Sequence, residues 1–531
     1  MEESVKKDDE TKIPELKTTP IPFSLNEIRK ISNIVSDRST KPSKDQLIKQ
    51  GFKLHSEGNE IEALRFYENF INLGYEDYRV FLNYGSLLLG LGKLEKAEKW
   101  TRRVLDLKPD LPQANFNLGN ILNDLGKLKA AEKYIRKAIK FKPDFVNAHL
   151  SLATILKDLG NLKEAETFSR KAISLKPNNL DACFNLGNIL KNLGNLEEAE
   201  IYTRKAIRLK PDFEQAYLNL ALIRKAFGDL REAEKYNLKA MELNPKNKTL
   251  QNNFIHLLTV YNPQDISSSP LCLINEQFLG INLFIKKNDQ ISDDKAIKIY
   301  RDGLEIYKKY DLDIVTSLLQ IYKKNDINLN CKRHKLIFNQ YKIIPEFCFA
   351  CYKVQIELDS IIELIKLFLV FNKLNLKNCN TRKCMIELRS EVKGFYKGLI
   401  YCTSLDEAVE ISKKLNDEVE KSIRFNLKSK VKRGCSEYQI EFPKYKDIRM
   451  SGDQLMIYNE SWRSIEKEID KGTNDWGKSN RSVEGFNLNN FLIMRNWIAY
   501  AQQIGDQTVN KITNEKIKGP KVLHTINRRI N

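Results

Sequence analysis

The sequence predicts a mainly α-helical fold: an array of helix pairs, then a helical extension, a small α+β domain and C-terminal helices. Three observations predict it. The middle of the chain resembles itself at a spacing of 34 residues, glycine and proline stand at fixed places in each copy, and the texture changes near Pro345. The chain's 531 residues are more than one ordinary core holds, and length alone predicts about three or four domains.

The first segment, 1–43, carries "TTPIPFS" and "RSTKPSK" and is expected to be a mobile tail. Its opening, "MEESVKKDDETKIPE", is charged and has no apolar core, so it does not read as a secretory signal. No run of about 18 apolar residues occurs, so no membrane span is expected and the chain reads as cytoplasmic. Nine cysteines scattered over a long chain do not make a disulfide framework. The formal charge of +19 favours acidic partners, although many lysine-rich solvated helices give the same sum.

Residues 44–260 are expected to form the array, with regular copies over 78–247. Counted from Tyr78, the copies are 78–111, 112–145, 146–179, 180–213 and 214–247. The fifteenth residue is always glycine (Gly92, Gly126, Gly160, Gly194, Gly228), which ends a first helix by entering the left-handed region cheaply. The twentieth is always alanine and the eighth is always small (Gly85, Gly119, Ala153, Gly187, Ala221), so two antiparallel helices approach closely. The thirty-second is always proline, which stops the second helix. A weaker copy at 44–77 keeps Gly51, Gly58 and Ala63 in register, and "LQNNFIHLLTVYNPQD" supplies a last first-helix, as expected of atypical terminal repeats.

This punctuation resembles the tetratricopeptide repeat superfamily, which implies a right-handed superhelix. The family's usual aromatic at the twenty-fourth position is absent. Thr101, Ile135, Ser169, Thr203 and Asn237 stand there, and Trp100, Tyr134, Phe168, Tyr202 and Tyr236 lie one place earlier. The sixth position reads Asn83, Asn117, Ser151, Asn185 and Asn219, with Asn253 in the fading copy. The resemblance turns this position toward the concave surface, where an amide offers both a donor and an acceptor to an extended peptide backbone. Asn120 and Asn188 stand at the ninth position, and Lys157 and Lys191 at the twelfth, giving a polar, partly basic wall suited to an acidic peptide. The column is similar to that of the O-linked N-acetylglucosamine transferases. The chaperone-binding class, by contrast, has a clamp lysine at the fifth position, where this chain has Leu82, Phe116, Leu150, Phe184 and Leu218. Asparagine is a mediocre helix former, so its recurrence asks for a compensating gain; duplication or capping of neighbouring helices are the plainer explanations. The basic pairs Arg102-Arg103, Arg136-Lys137, Arg170-Lys171 and Arg204-Lys205 read as a solvated outer face.

Residues 261–345 are expected to be a helical extension or degenerate repeats, with Ser292 capping one helix and "DLDIVTSLLQIYKK" forming its partner. Over 346–442 the order β-α-β-β-α-β predicts a ferredoxin-like domain, from a strand in "CFACYKVQIEL" to a last one in "VKRGCSEYQIEF". If Cys348 and Cys351 lie in a strand they point to opposite faces and cannot share one metal, so the cysteines read as buried thiols and no metal is assigned. Tyr401 alone stands where an RNA-recognition motif carries its aromatics, so nucleic acid is the lesser reading. Residues 443–531 read as two helical stretches, "GDQLMIYNESWRSIEKEID" and "LNNFLIMRNWIAYAQQIGDQTVNKI", joined by the polar link "KGTNDWGKSNRS".

No phosphate-cradling glycine motif, nucleophile elbow or cofactor site is found, so no catalytic residue is assigned. The expected function is a cytoplasmic interaction scaffold that holds an extended partner peptide. Its proposed contacts are Asn83, Asn117, Asn120, Ser151, Lys157, Asn185, Asn188, Lys191 and Asn219. The competing readings are a repeat-directed modifying enzyme, glycosyltransferase-like, with its catalytic part after the repeats, and an RNA-binding protein.

Overall fold

In the computed structural model, the described residues are 43–285, 290–325, 329, 331–389, 392–470, 480–520 and 523. The expected tail therefore lies outside them except for Ser43, as does most of the polar link near 471–479. The chain forms two compact units, up to Ile189 and from Leu190 onward.

The first unit is made of antiparallel helix pairs: α1 (Lys44–Ser56) with α2 (Glu60–Asn72), α3 (Tyr78–Gly90) with α4 (Leu94–Leu107), α5 (Pro112–Asp124) with α6 (Leu128–Phe141), and α7 (Val146–Asp158) with α8 (Leu162–Leu175). Helix α9 (Leu180–Leu193) begins in it. Ser43 opens α1 with a reciprocal capping box: its hydroxyl accepts from Gln46 N–H, and the Gln46 side chain accepts from Ser43 N–H. The punctuating glycines do what their position requires, with φ of 70° at Gly92, 74° at Gly126 and 85° at Gly160. The eighth position must be small because the twenty-fourth side chain of the same copy fills the space. A Cβ added at Gly119 would stand 2.4 Å from Ile135 Cδ1, and one at Gly85 would stand 2.9 Å from Thr101 Oγ1.

A feature absent from the sequence reading fixes the turns. Each repeat ends on a proline whose carbonyl no longer has a helical donor. After Pro109, Pro143 and Pro177 the fourth residue of the next copy lies against it. Asn115 Nδ2 donates to Pro109 O at 3.1 Å, His149 Nε2 lies 2.8 Å from Pro143 O, and Cys183 Sγ lies 4.0 Å from Pro177 O.

The second unit holds the end of α9, then α10 (Leu196–Leu209), α11 (Glu214–Phe227), α12 (Leu230–Leu243) and α13 (Lys248–Leu257). The turn device recurs, with Gln251 Nε2 donating to Pro245 O at 2.9 Å. Beyond α13 come α14 (Pro270–Leu279), α15 (Asp293–Lys309), β1 (Gln320–Lys323), α16 (Cys331–Tyr341), α17 (Glu346–Ala350), β2 (Tyr352–Leu358) and α18 (Ile361–Lys373). They are followed by β3 (Arg382–Ile386), β4 (Tyr396–Cys402), α19 (Leu405–Ser422), β5 (Lys430–Arg433), α20 (Trp462–Asp470), α21 (Leu488–Ile504) and α22 (Val509–Ile512). The five strands form one antiparallel sheet in the order β1-β3-β4-β2-β5. Helix α18 covers one face: a Cβ at Gly398 would meet Leu367 Cδ2 at 2.3 Å.

Five expectations are corrected. "DLDIVTSLLQIYKK" is not a helix; residues 312–319 are irregular and Gln320–Lys323 pair with β3 as an added edge strand. The extension does not continue the repeats, because α15 turns into the C-terminal core, where Gly303 makes room for Phe491. "CFACYKVQIEL" starts as a short helix: Cys348 N–H bonds to Pro345 O at 2.9 Å, and the strand begins only at Tyr352. Pro345 presets that turn. The last strand stops at Arg433, and of "GDQLMIYNESWRSIEKEID" only Trp462–Asp470 is helical. One continuous core runs from Ala233, Phe254 and Leu258 through β2, α18 and β4 to Trp497 on α21. Val483 N–H bonds to Thr259 O at 2.9 Å, and Asn480 Nδ2 to Lys225 O at 3.0 Å, tying the C-terminal segment to the last repeats.

Candidate functional site

The amides singled out in the sequence sit at the sixth position of each first helix, and the structure shows what they touch. Asn83 Nδ2 lies 3.4 Å from Tyr67 OH, and Asn117 Nδ2 donates to Ser86 Oγ at 2.8 Å. In the second unit, Asn219 Nδ2 donates to Thr203 Oγ1 at 3.0 Å, and that hydroxyl donates to Ala199 O at 2.7 Å. Asn219 is only 2% exposed, and its Oδ1 is buried without a hydrogen-bond partner. Asn83, Asn117, Asn120, Ser151, Lys157, Asn185 and Asn188 in the first unit are half-buried, as is Lys191 in the second. Lys157 Nζ lies 3.7 Å from Asp158.

Tyr67 and Thr203 both occupy the twenty-fourth position, so the contact joins the twenty-fourth residue of one copy to the sixth of the next. The full series is Tyr67–Asn83, Thr101–Asn117, Ile135–Ser151, Ser169–Asn185, Thr203–Asn219 and Asn237–Asn253. Wherever the twenty-fourth residue is polar the following sixth is asparagine, and the single apolar one, Ile135, is followed by the single serine. All six residues at the twenty-fourth position are buried. Their polar atoms need partners there, and this pairing supplies a reason for the asparagines besides ligand contact. The match is incomplete: the hydrogen bond forms at Tyr67–Asn83 and Thr203–Asn219, whereas Thr101 Oγ1 and Ser169 Oγ are buried without a hydrogen-bond partner, and Asn237 and Asn253 donate to Ala233 O and Thr249 O of their own helices.

The displaced aromatic also has a role. Arg102 pairs with Glu98 at 2.7 Å and donates to Tyr134 OH at 3.3 Å, while Arg136 pairs with Glu132 and Glu164 and lies 5.5 Å from the Phe168 ring centre. In the second unit, Arg204 pairs with Glu200 at 2.7 Å and donates to Tyr236 OH at 3.1 Å. The arginines read as a solvated stripe are thus engaged with a carboxylate one turn back and the ring of the next copy. Placing the ring at position twenty-three keeps it half-buried, where an arginine reaches it.

The thiols also differ from expectation. Since Cys348 is helical, the argument that a strand separates it from Cys351 fails. The Cys348 thiol donates a hydrogen bond to Cys435, which together with burial pushes its pKa up, and Tyr438 OH lies 3.5 Å from its sulfur. Cys384 and Cys402 are buried on the α18 side of the sheet, as small hydrophobes are. Among the described residues no three His, Cys, Asp or Glu side chains converge as metal ligands, and no helix is long and apolar enough to cross a membrane.

Residues 78–111, 112–145, 146–179, 180–213 and 214–247 each match the tetratricopeptide repeat family, so this stretch is five consecutive repeats of that superfamily. No curated protein matches the chain. Similar solved structures include YrrB, described as a tetratricopeptide protein with an unusual peptide-binding site, at 23% identity and TM-score 0.31, over 35% of this chain and 96% of that one. A thermophilic tetratricopeptide protein of Thermus thermophilus aligns at 22% identity and TM-score 0.31, over 34% of this chain and 99% of its own. Pseudomonas aeruginosa PilF aligns at 16% identity and TM-score 0.35, over 39% and 95% respectively.

Proposed function

We propose that this protein is an interaction scaffold whose first unit holds an extended, acidic partner peptide. Supporting the reading is the half-buried polar line Asn83, Asn117, Asn120, Ser151, Lys157, Asn185 and Asn188, recurring at the same positions of successive first helices. An amide that donates once to a neighbouring repeat, as Asn117 does to Ser86, retains its carbonyl oxygen and a second N–H for a peptide backbone. Lys157 adds the charge preference. Lys191 and Asn219 belong to the second unit and are left out of this line. We also read residues 346–442 as a ferredoxin-like domain, supported by the β-α-β-β-α-β succession and the strand order β5-β2-β4-β3.

The test is panning a random peptide library on the immobilised full chain, followed by titration of the enriched peptides. Extended peptides rich in Asp and Glu are expected. Asn120→Ala with Asn188→Ala, and Lys157→Glu separately, should each weaken binding about tenfold, in line with lost hydrogen bonds to a charged or backbone partner. Failure to enrich any peptide, or affinity unchanged in both variants at unchanged helicity, removes the reading.

A further inference from the structure

The sheet face opposite α18 carries an arrangement that the scaffold reading does not use. Strand register places Tyr322 on β1 opposite Lys383 on β3, and Lys353 on β2 opposite both Tyr401 on β4 and Lys432 on β5. Lys383 reaches diagonally to Tyr401, its Nζ 5.8 Å from that ring centre and 5.5 Å from the centre of Tyr322. One row across the five strands therefore reads Tyr, Lys, Tyr, Lys, Lys, about 19 Å from edge to edge at the usual strand spacing. Tyr322 and Lys432 are exposed, and the three residues between them keep partial solvent contact.

Among the described residues the two inner lysines have no ion-pair partner of the kind buried cations normally have, although Glu437 acts on both from farther away. Lys353 Nζ donates to Gly434 O at 3.1 Å and Lys383 Nζ to Gln320 Oε1 at 3.2 Å; among the described residues neither has a carboxylate within ion-pair distance. Burial, and then Lys353 beside it, pushes the Lys383 amine down to about 8. Farther along the same face the charges are matched: Glu387 lies 3.1 Å from Lys397 and 2.9 Å from Arg389. One end of the face is thus neutralised internally, while at the other, among the described residues, the cations stand between flat rings without an ion pair.

We propose that this row binds single-stranded nucleic acid, with phosphates on Lys353, Lys383 and Lys432 and unstacked bases on the rings of Tyr322 and Tyr401. An acidic peptide would satisfy the lysines but has no use for alternating ring faces, and a duplex cannot present its bases to them. The surplus of basic residues over the whole chain acts in the same direction.

The experiment is fluorescence anisotropy of the full chain with a labelled oligouridylate of about twelve nucleotides, a length within the usual single-strand site range, titrated at several salt concentrations. Three phosphate contacts predict a slope of log affinity against log salt of about −2. Lys432→Gln, at an exposed edge, should lower the magnitude by about 0.7, and Lys353→Gln with Lys383→Gln by about twice that. Tyr322→Leu should weaken binding about fivefold or more through lost stacking. No anisotropy change at low salt overturns the proposal. So does binding that poly-glutamate displaces equally well and Tyr322→Leu leaves unaltered, which would mark the row as a docking patch for acidic protein. Circular dichroism separates lost binding from lost fold, and the Lys432 variant retains the test if the inner double variant unfolds.

Discussion

At Asn219 one amide shows why a residue pattern and a residue's role are different things. Its repetition at the sixth position was legible in the sequence. Its orientation was not, because that depends on Thr203, sixteen residues earlier, whose hydroxyl accepts the Asn219 N–H. Reading the twenty-fourth and sixth positions together would have revealed the pairing, since Ile135 and Ser151 break the series at the same step. Thr203→Val should leave a buried N–H without an acceptor and lower stability by about 1–3 kcal/mol, measured by urea unfolding. Changing Asn219→Leu in the same chain should recover part of that loss, because an apolar pair asks for no partner.

At the scale of elements, glycine and proline punctuation located the helices of the repeats well, because backbone sterics dictate those positions wherever they occur. Ser292, Ser360 and Ser404 likewise begin helices as N-caps, each accepting from the backbone N–H three residues on. The failures fell where tertiary pairing decides. The stretch around Ile314-Val315-Thr316 fits either helix or strand in short windows, and Gln320–Lys323 is a strand because the β3 edge was open to it. The sheet also holds an ion pair no pattern announced: Lys397 and Glu387 are both 3% exposed. Burial alone would raise the Glu387 carboxyl, but Arg389 and Lys397 outweigh it and bring it down to about 2. Its charge therefore stabilises the fold above the free carboxylate range near 4.5, and this contribution is lost as pH falls toward 2. Glu387→Gln should cost about 3–5 kcal/mol at neutral pH by stranding Lys397. The gap from the parent protein, followed by denaturant melts, should narrow through that acid window.

For the whole molecule, the last repeats and the C-terminal region share one core, so the second unit is more than a string of helix pairs. Phe254, Leu257 and Leu258 are fully buried in that core. Ending the chain after Asn262 should uncover them and produce a protein that binds an apolar dye and loses helix at its new terminus, seen by fluorescence and circular dichroism. The sheet itself closes off one common mode of assembly. Its outer strands, Gln320–Lys323 and Lys430–Arg433, are four residues each and carry Lys323, Lys430 and Lys432. Brief, cationic margins of this kind discourage a stranger's backbone from zipping alongside. Whatever visits this half of the protein must read its side chains, because the main chain at its borders offers too little to extend.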